Sequence, residues 1–223
     1  MSGLTERDEK YLTDKCVTKI YEDFLRMKDS GVSFVHIKHK DYPERLKSIY
    51  DPPAALYVIG SLPADDKLSV AIVGARECSQ YGKAAAYNLA SELSARGVQV
   101  ISGLAMGIDA SAHKGSLDRE GYTCAVMGCG VDVCYPKFNM TLYKRIAQSG
   151  ALISEYPIHT PPLAYHFPKR NRIISGLADA VIIVEAKKKS GSLITADCAL
   201  EQGRDVFAVP GRMGDVLSEG CNK

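Results

Sequence analysis

Four short segments of this chain bring glycine, hydroxyl side chains and fixed cations together, the set of groups that grips phosphate. Gly74-Ala75-Arg76 joins a residue without a side chain, which lets backbone approach an anion, to a planar guanidinium fork. Ser102, Gly103 and Gly107 lie in SGLAMGIDASAH (102–113), a permissive loop of backbone donors, with Asp109 placed to cap the helix that follows. FPKRNR (167–172) sets Lys169, Arg170, Asn171 and Arg172 directly after Phe167. Pro168 bars a helix from continuing through it, so these cations fall at or near a first helical turn, where they oppose the helix dipole. That opposition makes sense if they face a polyanion, or, for one or two of them, if they pair with surface acids. Lys189, Gly191 and Ser192, in KSGSLITA, form a further glycine-hydroxyl seat at a helix start. Phe167, with Tyr165 and His166 beside it, fits a base-stacking platform and plain core equally well.

Other chemistries are poorly served. A dinucleotide site wants a carboxylate at the end of its second strand, and Ile101-Ser102-Gly103 has none. A Walker loop needs GxxxxGK followed by Ser or Thr; Gly74 and Gly82 are eight apart, and Lys83 precedes Ala84. There is no HExxH, GxSxG or pair of catalytic carboxylates, and the histidines at 36, 39, 113, 159 and 166 lack ligand spacing. His113, one turn after Asp109, reads as a packing or capping residue. Seven cysteines, at 16, 78, 124, 129, 134, 198 and 221, include no CxxC and fit small buried thiols of a reduced compartment. Neither metal nor cofactor is expected, and nothing argues for catalysis.

The elements that must position these groups follow from the apolar pattern. SVAIVGA, VQVISG, TCAVMGCG, ALISEY, AVIIVEA and DVFAVPG are nearly continuous runs, as strands buried on both faces require. Helical stretches separate them, four closed by Gly97, Gly121, Gly150 and Gly203. The alternation predicts an α/β, Rossmann-like domain, mostly parallel sheet with helices on both faces, whose ligands bind beyond the carboxyl ends of the strands. Before it, a helix over Thr13–Lys28 and the short strand VSFVHI form a lead-in over residues 1–40, leaving 41–223 as the main domain. Pro43, Pro52 and Pro53 are expected to keep KHKDYPERLKSIYDPPAALYVIG irregular. At 223 residues, 46% hydrophobic and 24% charged, the composition suits one soluble domain with a small appendage. No membrane span or apolar leader is present, and a cytoplasmic protein is expected. Net charge is only +2, yet residues 167–189 hold six cations against two acids, a local +4. Such a run is either a solvated face or a polyanion's footprint.

The chain resembles the DprA family, also called Smf, the DNA-processing proteins of natural transformation. The stretches that carry the likeness are YPERLKSIYDPPAALYVIG (42–60), AIVGAR with Ser79, Tyr81 and Gly82, SGLAMGIDASAH, MGCGVDVCYP (127–136), SEYP (154–157), FPKRNRIISGL, SGSLITADCALEQG and VFAVPG, in that order. The resemblance implies an extended Rossmann fold that binds single-stranded DNA in a basic pocket lined by Gly74 to Arg76 and by Phe167 to Arg172. It implies delivery of the strand to RecA recombinase past single-strand binding protein, without nucleotide hydrolysis. It further implies a homodimer through the C-terminal part of the domain, which is expected to be cut short at GCNK, and a helical N-terminal domain that is expected to be missing. An enzyme of the lysine-decarboxylase-like phosphoribohydrolase group is the alternative; its PGGxGTxxE is answered here only by SGSLITADCALEQ. A scaffold that recruits recombinase through its surface is a third reading.

Overall fold

Six apolar runs become parallel strands, five of them between helices that cover both faces and the sixth at the sheet edge. The computed structural model describes residues 30–223 together with Glu22, Leu25 and Met27. The helix expected over Thr13–Lys28 otherwise lies outside the described residues. The chain divides into two compact units, Met1–Ser33 and Phe34–Lys223. In the first, the Met27 carbonyl accepts from the Ser30 and Val32 amides at 3.1 and 2.9 Å.

The described elements run β1 (Ser33–His36), α1 (Glu44–Lys47), β2 (Ala55–Gly60), β3 (Ser69–Gly74), α2 (Gln80–Ala95), β4 (Gln99–Ser102), α3 (Ile108–Leu117) and β5 (Thr123–Val126). They continue through a 3₁₀ turn (Lys137–Asn139), α4 (Met140–Ser149), β6 (Ala151–Ser154), α5 (His166–Gly176), β7 (Ala180–Val184), α6 (Gly191–Glu201) and β8 (Asp205–Ala208). One eight-stranded sheet has the order β1-β2-β6-β5-β4-β3-β7-β8. Pairing is parallel from β6 to β8 and antiparallel between β2 and β6, with Tyr57 opposite Ser154. This is a Rossmann-like, mostly parallel fold. Among the described residues no helix is long and apolar enough to cross a membrane.

Alternating side chains split the core across the sheet. Val73, Ile101, Val126 and Ile153 pack with Leu46 of α1, Ile173 and Ile174 of α5 and Ala199 of α6. Their neighbours Ile72 and Val100 turn the other way, onto Ala86 and Ala90 of α2 and Ala112 of α3, while Ala125 and Leu152 meet Leu117 and Ile146. Each large aliphatic side chain fully withdrawn from water here contributes about 1.5–3 kcal/mol.

Three expectations change. Within the stretch expected to be irregular, ERLK forms α1 directly after Pro43, since a helix start needs no amide from proline. There too, ALYVIG is a strand, β2, because the prolines end at Pro53 and leave every later amide free to pair with β6. Only Gly97 and Gly203 of the four helix-closing glycines take the left-handed conformation; at the turn of Gly121 it is Glu120 that takes it (φ 55), and Gly150 is extended, its missing Cβ admitting the Thr123 carbonyl. The outermost strand, β8, is also less covered than its apolar run suggests, with Phe207 56% exposed.

From β3 the chain steps outward through β4, β5 and β6, then returns by α5 to the other side of β3 and steps outward through β7 and β8. The order therefore reverses between β3 and β7. Loops leaving those two strands must diverge, which opens a crevice at their carboxyl ends. At that seam Gly74 lies against β7 so closely that a Cβ there would overlap the Val184 carbonyl.

Candidate nucleic-acid interface at the strand ends

A cleft of about 570 Å³ occupies the crevice. Its walls are the β3–α2 turn (Gly74, Ala75, Arg76, Glu77), the β4–α3 loop (Ala105, Met106, Asp109), the start of α5 (Phe167, Pro168, Arg170, Asn171) and the β7–α6 loop (Lys187, Lys189, Ser190, Gly191, Ser192). Three loops and one helix start, drawn from Gly74 to Ser192 in the sequence, thus converge because the switch point directs them there.

Arg76 projects from the first wall, exposed, with its guanidinium carbon 5.4 Å from the centre of the Phe167 ring. Among the described residues it makes no ion pair. Phe167 is half-buried; on its other sides lie Tyr135, ring centres 5.6 Å apart, and Gly128, whose missing side chain admits the Phe167 ring edge. Lys187 and Lys189 are exposed on the opposite wall, while Lys188 between them turns away to Glu219 at 3.7 Å. The chain turns at Lys188 and Lys189, and Lys187 and Lys189 line the cleft while Lys188 does not. At its base stands the amino-terminal end of α6, an 11-residue helix capped by Ser190, whose free amides and dipole favour an anion. Asn171 clamps that end by donating to the Gly191 carbonyl at 3.1 Å.

Beneath the cleft is a buried polar frame. Arg170, 3% exposed, donates to the Gly103 carbonyl at 2.9 Å and to the Val126 carbonyl, tying together the ends of β4 and β5. Burial pulls its pKa down to about 10, with Asp109 opposing that shift, so the guanidinium stays charged at neutral pH. Asp109 is buried too, which raises its pKa against the pull of Arg170. It does not cap α3, whose N-cap is Gly107 at φ +76; the carboxylate instead accepts from the Gly103 and Ala105 amides at 3.1 and 3.4 Å. Glu185 does similar work across the switch point, accepting from the amide (2.8 Å) and hydroxyl of Ser79 ahead of α2.

His113 packs in this frame, fully buried. Its Nε2 accepts from the Leu104 amide at 3.3 Å, which leaves the proton on Nδ1, 2.7 Å from the Thr123 hydroxyl. Burial lowers its pKa from 6.5 to about 3. The unfolded chain takes up this proton below pH 6.5 and the folded chain does not, so acid favours unfolding. Stability should be flat in this contribution above pH 6.5 and decline as pH falls toward about 3. Urea titrations at several pH values read the slope; His113→Gln should flatten it, and an unchanged slope would refute the assignment.

Of the thirteen residues the sequence nominates, eight line the cleft: Gly74, Arg76, Phe167, Arg170, Asn171, Lys189, Gly191 and Ser192. Five lie outside its lining. Ser102 is buried and donates to the Ile72 carbonyl at 2.6 Å. Gly103 provides space for the Arg170 guanidinium, and Gly107 for the Ala75 and Arg76 carbonyls. Lys169 is exposed, 6.0 Å from the Tyr165 ring. Arg172 points to the far side of α5, where Glu155 at 2.6 Å and Asp51 at 2.9 Å hold it. Lys187 and Asp109 join the cleft without having been singled out for it.

A sequence model of the family described as DNA recombination-mediator protein A matches residues 33–223. The chain is 45% identical over 194 residues to DNA processing protein DprA of Bacillus subtilis, covering 86% of this chain and 65% of that protein. Against protein Smf of Escherichia coli it is 49% identical over 180 residues, covering 80% and 48%. It therefore spans about half to two thirds of the length of these curated relatives. The crystal structure of DNA processing protein A from Streptococcus pneumoniae superposes with a TM-score of 0.81 at 41% identity, over 93% of this chain and 73% of that one. DNA processing protein A from Helicobacter pylori, studied for its unique single-stranded DNA binding mode, gives 0.77 at 34% identity, over 86% and 85%. On the match across nearly all of its described length, the chain belongs to the DNA recombination-mediator protein A family.

Proposed function

We propose that the cleft holds a single DNA strand without cutting it. The observation that carries this reading is the Arg76 guanidinium poised 5.4 Å over the Phe167 ring, opposite Lys187 and Lys189. A phosphate track beside an aromatic face is what an unpaired strand needs and what a duplex cannot use, since its bases are stacked inside. Arg76, Lys187 and Lys189 take phosphates, the end of α6 with Gly191 and Ser192 adds donors, Gly74 lets backbone approach, and Phe167 stacks on a base. Lys169 attracts the strand from the rim. Ser102, Gly103, Gly107, Arg170, Asn171 and Arg172 shape the site from behind. The Helicobacter pylori relative's single-stranded DNA binding supports the same reading.

In this reading residues 41–223 form the binding domain and 1–40 a lead-in, acting in the cytoplasm to present the strand to RecA, with copies pairing through the C-terminal part of the domain. Fluorescence anisotropy with matched single-stranded and duplex oligonucleotides tests the core of it. Single-stranded affinity should exceed duplex affinity and fall steeply with salt as counterions are released. Equal affinity for both forms, or no salt dependence, would defeat it.

A further inference from the structure

Beside the cleft lies a second set of exposed rings that the phosphate seat does not use. Tyr135 (42% exposed), Phe138 (67%) and Met140 (42%) stand out from one surface segment, with Lys137 exposed among them. Large apolar side chains held in water cost free energy unless something covers them. The segment is not loose. Asn139, buried, donates to the Leu104 carbonyl at 3.1 Å, which pins it to the loop that supplies Ala105 and Met106 to the cleft. Cys134 is buried on one flank, and Tyr143 on the other donates to the Val131 carbonyl at 2.5 Å.

Two observations say what covers it. The first is continuity: the Tyr135 ring centre lies 5.6 Å from that of Phe167, the aromatic floor of the cleft. That is about the reach of one nucleotide step in an extended strand, whose residues lie farther apart than the ~3.4 Å rise of a duplex. The second is charge. From Val133 to Ser154 the chain has no Asp or Glu, while Lys137 and Lys144 occur along with Arg145, which pairs with Asp118 at 2.8 Å, in a protein whose overall charge is only +2. Rings alternating with a lysine, in a stretch free of acids, match a polyanion that carries flat bases.

We infer that a strand bound in the cleft leaves it over Tyr135 and continues along residues 135–140, stacking bases on Tyr135 and Phe138 with Lys137 against its phosphates. The inference rests on the reading of the cleft as a single-stranded DNA site, and extends that site to a longer footprint with a defined exit.

Anisotropy titrations with a short oligonucleotide of about 4 nucleotides and a long one of about 16, the range of single-strand site sizes, separate the two ideas. Tyr135→Ala and Phe138→Ala should each weaken the long oligonucleotide about 5–10-fold and leave the short one, which fills the cleft alone, unchanged. Tyr135→Phe should bind like the wild type, since it keeps the ring. A 2-aminopurine placed at the exit should be quenched on binding and regain fluorescence in Tyr135→Ala. If Arg76→Ala weakens both lengths while both exit variants bind the long strand normally, the cleft stands and the exit track falls. Equal loss at both lengths in Tyr135→Ala would show a prop for Phe167, which also overturns the track. Unchanged DNA binding with an altered sedimentation coefficient would assign the strip to a protein contact. Failure of the wild type to bind either length would remove the cleft reading itself.

Discussion

Arg170→Ala should lower folding stability by about 2–6 kcal/mol, at about 1–3 kcal/mol for each of the two buried carbonyls it leaves unpaired. The loss has three sources. The Gly103 and Val126 carbonyls, at the ends of neighbouring strands, each lose a charge-assisted donor. Asp109, buried and fixed by two amides, loses the cation that opposes its desolvation. Phe167 loses the guanidinium 5.9 Å from its ring centre, so the aromatic wall loosens with the frame. Gly103 makes the case sharper, because a Cβ at that position would collide with the same guanidinium. Arg170→Lys should be intermediate, keeping the charge and losing the planar fork that serves two carbonyls at once. The urea midpoint reports the effect; a midpoint within about 0.5 kcal/mol of wild type, the usual surface-substitution range, would show that this frame is not holding the strand ends.

Arg76→Ala should do the opposite: little to stability and much to binding. The side chain is exposed and makes no ion pair among the described residues, so folding does not depend on it. A charged group hydrogen-bonded to phosphate is worth about 1.5–3 kcal/mol, or on the order of 10–100-fold in affinity. The loss should be similar for all sequences, with the salt slope shallower by about one unit, as for any phosphate contact. Arg76→Lys should recover only part, because a point charge does not lie flat over Phe167 as a guanidinium does.

The strand runs, and with them the carboxyl-end rim, were legible because buried parallel strands are apolar on both faces, a pattern that survives without knowledge of packing; the strand order that makes the switch point was not. β2 was hidden by Pro52 and Pro53 just before it, which constrain nothing after Ala55. The glycine and cation loops were legible too, since their chemistry is local. What could not be seen was the direction of each side chain along FPKRNR. On α5 each residue turns about 100° from the last, so Arg170 and Arg172 lie nearly opposite one another. One is driven into the strand ends and the other toward Glu155 and Asp51. Given a helix there, that rotation is the signal that would have told a phosphate ligand from an internal strut. Lys187 was in plain view within a lysine run, and only the pairing of Lys188 with Glu219, 31 positions later, separates the two. Asp109 escaped notice as a counter-charge because its partner lies 61 positions later in the chain.

Arg76 and Arg172 are both arginines of the phosphate-type motifs, and the structure sends one into the cleft and the other away from it. Anisotropy titration of a single-stranded oligonucleotide at two salt concentrations, with wild type, Arg76→Ala and Arg172→Ala, therefore tests the site itself. The account predicts weak binding and a shallower salt slope for Arg76→Ala, and wild-type affinity for Arg172→Ala despite its lost ion pairs. Wild-type binding by Arg76→Ala, with the affinity lost instead in Arg172→Ala, would contradict it.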